Sequence, residues 1–180
     1  MGHDPSAGGF WGRRGGSRAA LFSAMVLAAI LFAGSGCGGS GHGAETDPEK
    51  GADAAILNTA LGRELTLVDV YERGRRHLRG RDRALARRLV AGEQEYVDAV
   101  TKAIRGLGGD TEAEAEEIPR PGELRGRAAL WSLASELESS AREFYVDKAA
   151  QLYTAAPRTL DAWLAAGHGE HLGVLPTGAG

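Results

Sequence analysis

The stretch ELTLVDVY, Glu64 to Tyr71, recurs as ESSAREFY, Glu138 to Tyr145, a shift of 74 positions. Each copy opens on a glutamate and closes on a tyrosine two helical turns later. A second echo follows at a shift of 75: Glu93-Gln94-Glu95-Tyr96 aligns with His168-Gly169-Glu170-His171, and Leu85/Leu160, Leu89/Leu164 and Val100/Leu175 keep step around it. Two helical hairpins built to one plan are therefore expected. The repeated polar residues fall on apolar stripes, where a helical bundle places a metal site rather than surface charge.

Working outward, Leu57, Leu61, Glu64, Val68 and Tyr71 recur at steps of four and three, the spacing of one helical face. This predicts a first helix from Asp53 to about Arg73, closed by Gly74. Asp82 is the expected N-cap of a second, with Leu85, Leu89, Glu93, Tyr96, Val100, Ile104 and Leu107 on its buried face and Gly108-Gly109 at its end. The acidic run Asp110 to Arg120, with Pro119 and Pro121 at its close, reads as a crossover too polar to pack. A third helix is expected from about Gly122 to Tyr153, with Trp131, Ala134, Glu138, Ala141, Tyr145 and Leu152 on one face. Pro157 suits the first turn of a fourth, which carries Leu160, Leu164, His168, His171 and Leu175, with Gly173 near its end. No stretch shows strand alternation. The fold class is thus all-α, a four-helix bundle of two hairpins joined by one long connection. Trp131 and Trp163 are assigned to the core, and His42 and His77 to solvent-facing segments.

A glutamate or histidine on a core face is costly unless paired or metal-bound. Six such positions stand out: Glu64 and Glu138 on the first helix of each hairpin, and Glu93 with Tyr96, and His168 with His171, on the second. Spacing of i and i+3 sets both members of a pair on one side of their helix, so that two side chains reach one ion.

This layout resembles the ferritin-like di-iron carboxylate family, which carries a glutamate on two helices and Glu-x-x-His on the other two. The runs ILNTALGREL (residues 56–65), EQEYVDAVTKAIRGLGG (93–109) and GEHLGVL (169–175) look like the small secreted ferritin-like proteins of bacteria. The resemblance implies metal ligands at Glu64, Glu93, Glu138 and His171. Tyr96 stands where the first motif has histidine, and His168 where the second has glutamate, so the site is degenerate. Glu138, His168 and His171 form a two-histidine, one-carboxylate set acceptable to Fe, Zn or Mn. Three carboxylates balance two divalent ions less well than four, so one ion completed by Glu64 or Glu93 is favoured over a pair. Two alternatives stay open: weak ferroxidase-like activity at such a centre, and a lapsed site in which the six groups hydrogen-bond one another and no metal enters. Tyr71 and Tyr145 are expected to pack, or at most to stand behind the ligands, and in the lapsed site Tyr71 and Tyr96 donate to carboxylates.

The amino terminus reads as a leader. Arg13, Arg14 and Arg18 form a basic n-region, Ala19 to Ala33 an uncharged apolar run, and Gly34-Ser35-Gly36 a small-residue step before Cys37. The run is short for a membrane span, which needs about 20 apolar residues. Cys37 is the single cysteine, which excludes disulfides within one molecule. Its setting resembles a bacterial lipoprotein signal, although Gly34 stands where that signal has Leu, Val or Ile. The resemblance implies a signal peptide over 1–36, lipid on Cys37, a flexible tether over 37–52 and a helical domain over 53–180, exported and held on the outer side of a cell membrane. A lipid on every subunit hinders closed shells, so a monomer or homodimer is expected.

Removing the leader takes three basic residues and one acidic one from 21 and 24, leaving 18 against 23. A net charge of this sign argues against a nucleic-acid partner. Against it stands a run of arginines, Arg73, Arg75, Arg76, Arg79, Arg81, Arg83, Arg87 and Arg88, read either as a solvated helix end or as a surface for anionic headgroups. No Gly-rich phosphate loop, nucleophile elbow or cysteine nucleophile supports a hydrolase or transferase. Two functions remain: an envelope-anchored ferritin-like protein binding a metal in its core, and a non-catalytic lipid-tethered scaffold or interaction module.

Overall fold

The computed structural model describes residues 47–176. Cys37, His42 and the proposed leader lie outside them. Four α-helices and one short 3-10 turn make up the described chain, with no strand among the described residues. The helices are α1 (Pro48–Gly74), α2 (Gly80–Gly106), α3 (Arg127–Ala149) and α4 (Ala155–Val174). α1 packs mainly on α2 and α3 mainly on α4, and the hairpins meet through α1 against α3 and α2 against α4. This all-helical arrangement is compatible with a four-helix bundle. None of its helices is long and apolar enough to cross a membrane.

Helix boundaries follow local chemistry that the apolar period alone does not reveal. α1 starts at Pro48, not Asp53, and so takes in the last residues of the expected tether. Asp47 accepts a 3.1 Å hydrogen bond from the Glu49 amide, and Pro48 stands at the first position, where its missing N–H costs nothing. α2 starts at Gly80, which adopts φ +52, a backbone conformation open to glycine. Asp82 therefore lies inside its first turn and does not cap it. The Asp82 carboxylate instead accepts from Arg127 at 2.6 and 3.1 Å, tying the start of α2 to the start of α3.

The expected third helix is shorter at both ends. Pro121–Arg125 forms the 3-10 turn, which buries Leu124, and Gly126 in extended conformation precedes α3. α3 stops at Ala149, since the Tyr153 and Thr154 amides turn to the Asp53 carboxyl. The 107–120 connection is also less detached than its polarity suggested. It runs beside α1, where Asn58 donates to the Asp110 carbonyl and accepts from the Glu112 amide, and Thr66 Oγ1 accepts from the Glu116 amide at 2.7 Å. Gly62 permits that approach, because a Cβ there would lie 3.1 Å from the Glu114 carbonyl oxygen.

Most of the core comes from the predicted stripes: Leu57, Leu61, Leu89, Val100, Ile104, Trp131 and Leu164 are buried, joined by Val70, Leu130 and Leu133 from outside them, while Val68, Leu85, Leu107 and Leu160 are only partly buried. Full burial of one such leucine contributes about 1.5–3 kcal/mol, so the stripes supply the main drive for assembly. Gly74 does more than end α1, since a Cβ there would come within 2.6 Å of the Leu130 side chain, and glycine lets the two segments close. Trp163 corrects the sequence reading: it is 41% exposed, its ring set edge-on to Tyr96. His77 is exposed, as expected.

Candidate metal centre

Each of the four helices sends one buried acid or imidazole to a common interior point, because each carries it within its apolar stripe. Glu64 comes from α1, Glu93 from α2, Glu138 from α3 and His168 from α4, and all four are fully buried. His171, one turn beyond His168, is the edge of the group, with a side chain 15% exposed. Glu93, Glu138, His168 and His171 each offer a ligand atom, and these atoms all lie within 4.8 Å of one another. Two carboxylates and two imidazoles of this kind can hold a metal ion.

The contacts are close. His168 Nδ1 lies 2.6 Å from Glu138 Oε2, and its Nε2 3.1 Å from Glu64 Oε1. His171 Nδ1 lies 2.7 Å from Glu93 Oε1 and 3.3 Å from Glu138 Oε1. The phenols complete the shell in a crossed pattern: Tyr71 of α1 donates to Glu138 of α3 at 2.6 Å, and Tyr145 of α3 donates to Glu64 of α1 at 2.5 Å. The Tyr71 bond to a carboxylate is the one foreseen for the lapsed site, and Tyr145 matches it.

Burial drives the protonation states. It raises the Glu93 carboxyl well above the usual range, and the neighbouring Glu138 and Glu64 charges add to it. At Glu138 burial acts the same way, but the His168 and His171 imidazoles outweigh it and hold the carboxyl down at about 2. Burial alone would lower His168, yet the hydrogen bonds to Glu138 and Glu64 raise it to about 10. His168 is therefore an imidazolium at neutral pH, set between Glu138 and Glu64, and the burial of Glu93 favours its protonated form.

The fit to a metal can be tested on polar atoms that lack partners. Glu93 Oε2 and Glu64 Oε2 are buried without a hydrogen-bond partner, while Glu93 Oε1 faces His171 Nδ1 at 2.7 Å. Unsatisfied groups are rare in protein interiors, and here they converge. A divalent cation would satisfy Glu93 and His171 together, and two carboxylates would neutralise it. The donor set fits Fe, Zn or Mn.

Of the six residues singled out in the sequence, five thus converge. Glu93 is the fourth member of the ligand group, while Glu64 reaches it through His168. Tyr96 takes a different place. Its ring stacks on His171 at 5.5 Å and meets His168 edge-on at 5.4 Å, and burial pushes its hydroxyl pKa upward. Its hydroxyl lies over Gly167, where a Cβ would come within 1.9 Å of it. It makes no hydrogen bond to any carboxylate among the described residues, so the phenol walls the site. Gly92 gives similar room to His171, whose Nε2 would lie 3.0 Å from a Cβ there.

Sequence reasoning missed two buried acids. Asp53 accepts from the Tyr153 and Thr154 amides and from Thr154 Oγ1, at 2.8, 3.0 and 2.6 Å, and so fixes the turn into α4. Asp161 is fully buried with neither oxygen bonded. Its position seven residues before His168, on the same stripe, was the available signal. Comparison with protein-family models, with curated proteins and with solved structures finds no match for this chain.

Proposed function

We propose that the chain is a ferritin-like protein, tethered by lipid on Cys37 to the outer side of a cell membrane, that binds one transition-metal ion among Glu93, Glu138, His168 and His171. The observation that carries the metal is the convergence of ligand atoms from these four side chains within 4.8 Å, with Glu93 Oε2 buried and without a hydrogen-bond partner. Support for the family comes from the repeated hairpins and the Glu-x-x-His-like spacing; support for the tether comes from the leader and Cys37. Iron held here would bring one-electron redox chemistry, and with it weak ferroxidase-like activity; zinc or manganese would bring Lewis-acid chemistry. The protein's own part is to hold the ligands together in the buried core. Tyr71 and Tyr145 orient the carboxylates, while Tyr96 covers the imidazoles.

Metal analysis of the purified full-length chain after exposure to Fe(II), Zn(II) or Mn(II) tests this. Near-stoichiometric metal in the parent, lost in His168→Ala with His171→Ala and reduced in Glu93→Gln, is the expected result. Equal metal content in parent and variants would overturn it. Absorbance after Fe(II) addition in air then tests for oxidation.

A second reading has its own observation. Both His168 nitrogens already face carboxylates, and a protonated Glu93 can share its proton with Glu64. Such a closed network suits a scaffold or interaction module that takes no metal. It predicts that none of the three ions raises the thermal midpoint.

A further inference from the structure

Away from the acid cluster, the C-terminal turn of α1 and the 3-10 turn enclose a cleft of about 370 Å³. Its lining includes Arg73, Arg76, His77 and Arg125, with Gly122 at the rim and buried Leu124 beneath. No acidic residue lines it. Arg73 pairs with Asp69 on the surface at 3.0 Å, whereas Arg76 and Arg125 have no carboxylate within 4.0 Å among the described residues. A lone basic helix end is explained by its dipole. That explanation does not reach Arg125, which arrives from a separate segment nearly fifty residues later in the chain.

We propose that this cleft binds a phosphate monoester or inorganic phosphate, held by Arg76 and Arg125 with Arg73 and His77 beside them. Guanidinium groups match phosphate oxygens in geometry and charge, and two of them from different elements can grip one tetrahedral anion from two sides. Gly122 leaves the rim open, since a Cβ there would meet nothing within 4 Å. The same chemistry fits a free phosphate and the headgroup of phosphatidic acid.

The test compares the full-length parent with Arg76→Ala/Arg125→Ala and with Arg87→Ala/Arg88→Ala, which removes equal charge from exposed α2 positions outside the cleft. All three are titrated with inorganic phosphate by calorimetry, and with phosphatidylcholine vesicles with and without phosphatidic acid by sedimentation. Saturable phosphate binding, weakened at least about tenfold by the cleft pair but not by the α2 pair, supports the site with a soluble ligand. The same pattern only on phosphatidic acid vesicles supports it with a lipid ligand. Absence of both, or equal losses from the two pairs, overturns it. All four arginines are exposed or border the cleft, and the helical circular dichroism of each variant verifies that folding is intact.

Discussion

Tyr71 and Glu138 are joined across the two hairpins by a 2.6 Å hydrogen bond, and the sequence repeat turns that bond into a pair, since Tyr145 bonds Glu64 in the opposite sense. Each tyrosine was placed by the same seven-residue interval from its own helix's glutamate, yet it serves the glutamate of the other. The repeat therefore encodes a cross-brace between α1 and α3.

Removing either phenol leaves a buried carboxylate short of a donor. Tyr71→Phe and Tyr145→Phe are each expected to cost about 1–3 kcal/mol in urea unfolding. The two losses should be similar, because the bonds are counterparts. A loss confined to one of them would show that the brace is one-sided.

Gly167 and Tyr96 form a second dependent pair. A Cβ at 167 would overlap the Tyr96 hydroxyl at 1.9 Å and its ring carbon at 2.6 Å, and the ring is held by Trp163, His168 and His171. Gly167→Ala is expected to cost about 1–3 kcal/mol by overpacking. Combined with Tyr96→His, whose shorter ring vacates the space, it should cost clearly less than in the parent. A double-mutant cycle by thermal or urea unfolding reads this coupling; additive losses would place Tyr96 elsewhere.

The legible part of this chain is its stripes. Glu64, Glu93, Glu138 and His168 break apolar faces at helical spacing, and each is buried where the period put it. What the period cannot show is depth and direction. Trp163 sits edge-on outside the buried Tyr96 ring, so Trp163 stays partly in water. Tyr96 points toward a glycine rather than toward the acids, a consequence of a missing Cβ on another helix. Asp53 sat in plain view four residues before Leu57, but its role depends on a turn a hundred residues away. Boundaries failed where capping chemistry, such as Asp47-Pro48, outranked periodicity.

Metal binding should release protons. His168 is raised to about 10, so it carries a proton at neutral pH, and Glu93 is also raised by burial and by its acidic neighbours, which favours its protonated form. A ligand must be deprotonated. Affinity for Zn(II) is therefore expected to rise with pH between about 6 and 8, by up to about tenfold per unit for each proton displaced. Calorimetry in two buffers of different ionisation enthalpy counts those protons; a release of none would mean that His168 does not ligate.

Asp161 supplies a pH prediction separate from the metal. Burial, with Asp53 nearby, raises its carboxyl to about 7, and neither oxygen has a hydrogen-bond donor. In the unfolded chain an aspartate titrates near 3.9. Between these values the folded state holds a proton that the unfolded state has lost, so this group's contribution to stability falls as pH rises from about 4 to about 7 and is constant above. Below about 4 both states are protonated and no penalty exists. Asp161→Asn, neutral at every pH, should therefore melt above the parent by roughly 3–6 °C at pH 8, with the advantage shrinking through pH 6 and gone near pH 4. The difference between variant and parent cancels other titrating groups common to both. A gap that stays constant across this range would mean that Asp161 is not the group being deprotonated, and that its burial is relieved in solution.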